Sequence, residues 1–360
     1  MCHCQRAATA TLLGTMLIAL AGCGGSQHDP LEKYYLLSAN VKISYWQTAA
    51  NGLMRAASQM QVKGEAVGPD TYDPQAEQQE LHRLIGLEPK PAGILVSPAD
   101  PALMKPDIDA AIAAGIPVIT VDSDSPASKR LLFIGTNNYQ AGVMGGRIAA
   151  KQLSGKGNVV VFTMPGQTNL AERLNGYKFA FSEHPGIKIA DVVDIKGDPR
   201  IAFDTTNEIV EKRRDKVDGF ICLEALAGKE VAEVLDRSKV TKVVVAMDTD
   251  EGTLNWIQKG VIAATIAQKP FTMAYYGAKM LDELQHRKPP SLAINWAEDP
   301  FSPLPTFVDT GATLVTKENA GEFIKARDAA AAESKKKTKK AQSLMRCAFR
   351  GVRKVVLSSC

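Results

Sequence analysis

Two acidic strand ends dominate the chemistry this sequence offers. In IPVITVDSDSP (116–126) an apolar run stops at Asp122-Ser123-Asp124, and in VTKVVVAMDTDEG (240–252) a second one stops at Asp248-Thr249-Asp250. An ionised carboxylate carries only hydrogen-bond acceptors and engages two donors at once, so a facing pair suits a ligand rich in donors. Strand-end aspartates also cap helices or begin turns, and DSDSP and DTDEG suit that role for Asp124 and Asp250.

Other reactive patterns are missing from the sequence. The five histidines (His3, His28, His82, His184, His286) are scattered without metal-ligand spacing. Neither a G-x-S-x-G elbow, a Walker lysine loop, nor a G-x-G-x-x-G after a strand occurs. The close glycines of AGVMGGRIAA (141–150) fall inside a helical stretch, where small residues permit tight packing. Cys222, inside VDGFICLEA, reads as a buried, inert thiol. No catalytic residue, metal or cofactor is therefore expected.

The elements that must position the two acids follow from periodicity. Apolar runs suited to buried parallel strands appear at YYLLSA, VKGEAVG, AGILVSP, IPVITVD, NVVVFTM, IKIADVVDI, VDGFICLE, KVVVAMD and VIAATIA. Amphipathic stretches of helical length separate most of them, among them PQAEQQELHRLIGL, YQAGVMGGRIAAKQL and AYYGAKMLDELQHR. Strand-helix alternation implies right-handed crossovers and open parallel sheets. Nine strands with two separate acidic ends imply two such sheets. Ligands bind beyond the carboxyl ends of such strands, so two facing lobes would turn Asp122 and Asp248 into one cleft.

The segments GIPVITVDSD, FIGTNNYQAG, AERLNGY, VVVAMD and GVIAATIAQKP, in this order and spacing, resemble the periplasmic sugar-binding proteins of the ribose-binding type, the type I periplasmic binding proteins of ABC importers. The resemblance covers roughly residues 34–310. It implies an α/β fold of two Rossmann-like lobes with parallel sheets, joined by a three-crossing hinge and closing on a sugar. It also implies roles for individual residues. Asp122 and Asp248 would accept from sugar hydroxyls, and Arg173 would donate to ring and hydroxyl oxygens. Asn138 and Gln268 would line the hinge side, while Tyr45 and Trp46 in SYWQTAANG would stack on the ring. Ser123 stands where the family usually has Arg. Glu224 stands where it often has Asn, and would either favour donor-rich or amine-bearing ligands or pair with Arg173. Bending is expected near Thr136–Asn138, near Gln268–Pro270 and around DPFSPLP.

The N-terminus carries Arg6, an apolar stretch over 10–21 and Leu20-Ala21-Gly22-Cys23, which resembles a bacterial lipoprotein lipobox. The implied organisation is a signal peptide over 1–22 and a lipidated tether over 23–33 beginning at Cys23. A first lobe of 34–136 plus 269–297, a second of 137–268 plus 298–330 and a basic, poorly ordered tail over 331–360 complete it. The expected product is a membrane-anchored, extracytoplasmic monomer whose partners are a sugar and an ABC transporter permease. A solute sensor presenting a sugar to a membrane receptor is the alternative.

Composition fits this reading. The 360 residues are 45% hydrophobic and 23% charged, an ordinary balance for a globular protein large enough for two domains. The formal charge of +4 includes nine Lys or Arg and no acid in 335–360, leaving 4 − 9 = −5 elsewhere. A mildly acidic body carries no overall pull toward nucleic acid. The lipobox also occupies the place where a repressor built on this fold would carry its DNA-reading helices.

Overall fold

The computed structural model describes residues 28–287, 299 and 301–329. Two six-stranded sheets organise it. The first runs β11-β5-β4-β3-β1-β2, from β1 (Lys33–Ser38), β2 (Lys63–Val67), β3 (Gly93–Ser97), β4 (Val118–Val121), β5 (Phe133–Gly135) and β11 (Phe307–Asp309). The second runs β12-β10-β9-β8-β6-β7, from β6 (Lys156–Thr163), β7 (Gly186–Asp194), β8 (Gly219–Cys222), β9 (Val243–Met247), β10 (Ala264–Ala267) and β12 (Thr313–Val315). All pairings are parallel except β10 with β12. All nine apolar runs form strands, and the two sheets make the expected two lobes.

Each sheet is covered on both faces, which explains the near-continuous apolar runs. In β1, Tyr34 and Leu36 point to one core with Leu53, Leu95 and Leu281, while Tyr35 and Leu37 point to the other with Leu81, Ile94 and Ile108. Helices begin where the sequence supplies caps. Asp73, Asp100 and Asp198 each accept backbone N–H groups ahead of a proline in the first helical turn.

The chain crosses between lobes three times. It leaves the first sheet after β5 and enters helix α4 (Asn138–Gln152) of the second lobe, then returns after β10 into α9 (Pro270–His286). The third crossing corrects the expected boundary at 297/298. Phe307–Asp309 still belongs to the first sheet, paired with Phe133–Gly135, and the Phe133 and Phe307 rings stack at 5.1 Å. The chain passes to the second sheet only through 310–312. DPFSPLP therefore precedes this crossing instead of following it. Three-residue strands are too short for periodicity to reveal, which is why β5, β11 and β12 add to the nine expected runs. The expected signal peptide, lipidated Cys23 and basic tail lie outside the described residues, as does 288–298.

One helix contact sets the position of the second-lobe site. α4 and α5 (Thr168–Ser182) approach so closely that a Cβ on Gly142 would lie 2.0 Å from the Arg173 carbonyl oxygen, and one on Gly176 would lie 2.1 Å from that of Tyr139. The glycines thus let Arg173 sit against Asn138. Gly176→Ala should lower stability by about 1–3 kcal/mol or more in urea unfolding, because the backbones must separate. Gly166→Ala, with no atom within 4 Å of its added methyl, should leave the midpoint unchanged.

Candidate functional site

The two acids occupy equivalent places in the two lobes. Asp122 follows β4 and Asp248 follows β9, and each has a left-handed backbone, with φ of 64° and 67°. Each donates its N–H to the neighbouring strand, Asp122 to Ile134 at 3.0 Å and Asp248 to Ile266 at 2.9 Å. The left-handed turn is uncommon for a residue bearing a Cβ. Here it ends the ladder and directs both carboxylates into one cavity of about 580 Å³, open mouth included, lined from both lobes.

A hydrogen-bond network fixes the groups around that cavity. The Tyr45 hydroxyl donates to Asp122 Oδ1 at 2.5 Å, and Asn169 Nδ2 donates to its Oδ2 at 3.3 Å from the opposite lobe. Gln268 Nε2 donates to Asp248 Oδ1 at 3.1 Å, while its Oε1 accepts from Thr136 at 2.8 Å and from Arg173 Nη2 at 3.3 Å. Two crossing segments thereby meet at one amide. Arg173 is 1% exposed; its Nε and Nη2 reach Asn138 Oδ1 at 3.1 and 2.5 Å, and its Nη1 donates to the Leu223 carbonyl. Asn138 Nδ2 in turn donates to the Thr136 carbonyl at 3.0 Å.

The remaining expected residues fall in or beside the same space. Tyr45 and Trp46 open helix α1 (Ser44–Met60), line the cavity and meet edge to face at 5.1 Å. The buried Ser123 hydroxyl also lines it and has no hydrogen-bond partner. An unpaired hydroxyl away from water is costly, so a ligand group there has a physical reason to bind. Glu224 is not ion-paired to Arg173 among the described residues. Its carboxylate instead accepts from the Leu226 and Ala227 amides, at 2.5 and 3.0 Å, at the start of helix α7 (Ala227–Arg237).

Asp124 and Asp250 serve structure. Asp124 forms a bidentate pair with Arg130, at 2.5 and 2.7 Å, and Asp250 caps α8 (Glu251–Lys259) through the Thr253 amide. Sequence reasoning missed Asn169, Ser97 and Tyr72, which also line the cavity. Asn169 sits one helical turn before Arg173, and Ser97 ends β3, so both carried a readable signal. Tyr72 lies in a loop and reaches across to Gln167 and Gly197, a placement no local pattern encodes.

Burial raises every acid of the site. It carries Asp248 up to about 7, with Arg173 and Gln268 opposing and Asp122 adding to the rise. It carries Glu224 up to about 7 against the two amides, and it raises Asp122 despite Tyr45 and Arg173. The Tyr45 phenol is pushed well up by burial and then by Asp122. Arg173 is the only Lys or Arg lining the cavity among the described residues.

Known proteins can now be set beside this geometry. Residues 34–288 match the family described as periplasmic binding protein domain. The ribose import binding protein of Bacillus subtilis is 22% identical over 197 residues, which are 54% of this chain and 63% of that protein. The chain thus spans less than two thirds of that relative's length. A sugar-binding protein of a sugar ABC transporter from Bacillus halodurans is 33% identical, over 80% of this chain and 99% of that one, with a TM-score of 0.72. An arabinose-binding protein from Geobacillus stearothermophilus is 32% identical, over 82% and 99%, with a TM-score of 0.67. With more than half of its length matched and two sheets joined by three crossings, the chain belongs to the periplasmic binding protein domain family.

Proposed function

We propose that this protein is an extracytoplasmic binding protein that captures a monosaccharide or related small polyol between its lobes and delivers it to an ABC importer. The observation that carries the reading is the convergence of Asp122 from one lobe and Asp248 from the other on a single cavity beside Arg173. The sugar-binding names of its relatives support the same class of ligand. Sugar hydroxyls cost about 1–3 kcal/mol each when desolvated without partners, so a site of carboxylates, amides and one guanidinium both holds and discriminates.

Binding here needs no bond to break. The carboxylates accept hydroxyl protons as hydrogen bonds, Arg173 donates to oxygens, and Tyr45 and Trp46 offer apolar ring faces to the C–H side of the guest. Closure of the lobes excludes water and strengthens each contact. Asn169 already reaches Asp122, and Thr168 Oγ1 donates to the Asp124 carbonyl at 3.0 Å. These are the contacts a hinge motion would make and release. The bends belong at the first two crossings, where Thr136 and Gln268 are bonded to each other. A lipid on Cys23 would hold the protein near its permease, and a single copy contains the whole cavity.

Two measurements test this reading. A calorimetric screen of pentoses, hexoses, deoxysugars and polyols should find a ligand, and Asp122→Ala and Asp248→Ala should each weaken it about ten- to a hundredfold, as expected for charge-assisted bonds. Undiminished binding in both variants would place the site elsewhere. The second reads stability against pH without ligand. Folded-state values raised from 3.8 and 4.5 to about 7 mean that Asp248 and Glu224 keep protons that the unfolded chain has lost. Their stabilising contribution is complete below about pH 4 and is lost as pH rises to about 7, by up to about 1.4 kcal/mol per pH unit for each group. The Tm should fall across that window, and Asp248→Asn should flatten the fall and raise the Tm at pH 7.5.

A further inference from the structure

Far from the cleft, on the first lobe, the fold assembles a cluster that the sequence left scattered. The N-terminal turn supplies His28 and Glu32, four residues apart. The last turns of α9 supply Asp282 and His286, also four apart. His28 Nε2 lies 2.9 and 3.0 Å from the two Asp282 oxygens, and His286 Nε2 lies 3.0 Å from Glu32 Oε2 and 3.8 Å from Asp282 Oδ1. The imidazole rings stand 4.9 Å apart at 80°. One ligand atom from each of His28, Asp282 and His286 falls within 4.8 Å of the others.

We propose that His28, Asp282 and His286 form a binding site for a divalent transition-metal ion of the zinc type, with Glu32 holding His286 beside it. The distances fit one. Zinc bonds of about 2.0–2.2 Å to imidazole nitrogen and carboxylate oxygen place tetrahedral ligand atoms about 3.3–3.6 Å apart. The His–Asp282 separations of 2.9 and 3.8 Å bracket that range and all three ligand atoms lie within 4.8 Å of one another, so side-chain rotation would draw them onto one ion with solvent in the fourth position. Charge fits as well: no Lys or Arg is ion-paired to Asp282 or Glu32 among the described residues, and two carboxylates share a pair of imidazoles. Imidazole with carboxylate is a donor set that zinc accepts readily. On binding, each imidazole coordinates through Nε2 and keeps its proton at Nδ1, and any Nε2 proton leaves to solvent.

A second layer of contacts aims these ligands. The Tyr34 hydroxyl, on β1, donates to Asp282 Oδ1 at 3.0 Å and orients the carboxylate. The turn at 29–32 is closed by the Glu32 amide on the Asp29 carbonyl at 2.9 Å and the Leu31 amide on Asp29 Oδ1 at 2.8 Å, which places Glu32 on the same side as His28. A bound ion would pin the segment that leads into β1 to the end of α9.

Zinc titration of the purified protein by calorimetry tests the site. One equivalent should bind, and His28→Ala and His286→Ala should each weaken it more than about 100-fold, since loss of an outer-shell partner alone costs 10–100-fold. His82→Ala should bind as the parent does. Cobalt in place of zinc should give the visible spectrum of a tetrahedral nitrogen and oxygen shell. Absence of uptake, uptake unchanged in both variants, or a thiolate charge-transfer band placing the ion on cysteines would overturn the proposal. His28 precedes β1 and belongs to no helix or strand, so its variant keeps the test decisive even if a change in α9 disturbs folding.

Discussion

The structure is organised around one buried guanidinium. Arg173 is nearly inaccessible and is held by an asparagine, a backbone carbonyl and a hinge glutamine, none of them charged. Its charge is therefore not neutralised by a direct partner. It is shared at longer range with Asp122, Glu224 and Asp248, whose ionisation it favours against burial. A cation left without a contacting anion in a low-dielectric site is expensive unless its donors are satisfied. Two glycine-mediated helix contacts bring those donors to their acceptors.

That arrangement leaves the cleft electrostatically unsettled. Three acids carry protons more readily than they would in water, because burial penalises their charges. The Ser123 hydroxyl has no partner. Hydroxyl donors from a guest would add to the partners of the carboxylates, and a guest group would satisfy Ser123. The same contacts link the lobes, because the residues concerned come from both. On the proposed reading, affinity and closure would draw on one set of hydrogen bonds, through which a small ligand can bias a hinge. Gln268 couples the two, since it touches Asp248, Arg173 and Thr136 at once.

The proposed metal site obeys a different logic. Its residues lie at opposite ends of the described body of the chain, in two pairs spaced four apart. Each pair alone is an ordinary surface feature. Packing of α9 against the first sheet brings three of these side chains together with Glu32 at their edge, whereas the cleft was announced by its strand ends.

Local patterning by itself determined the strands, the main helices, the capping prolines and the two carboxylate ends, because side-chain periodicity and the chemistry of strand termini are written within a few residues. It also made Asn169 and Ser97 readable, through helix spacing and strand position. The three-residue crossing strands were not legible, since they are too short for periodicity and the pairings of β11 with β5 and of β12 with β10 join segments distant in the chain. Nor was the choice Glu224 makes between Arg173 and the amides of α7, which the packed geometry decides. The meeting of His28 with His286, and of Tyr72 with Gly197, likewise belongs to tertiary structure alone. Sequence specifies what each residue can offer, and only the packed chain decides which offers meet.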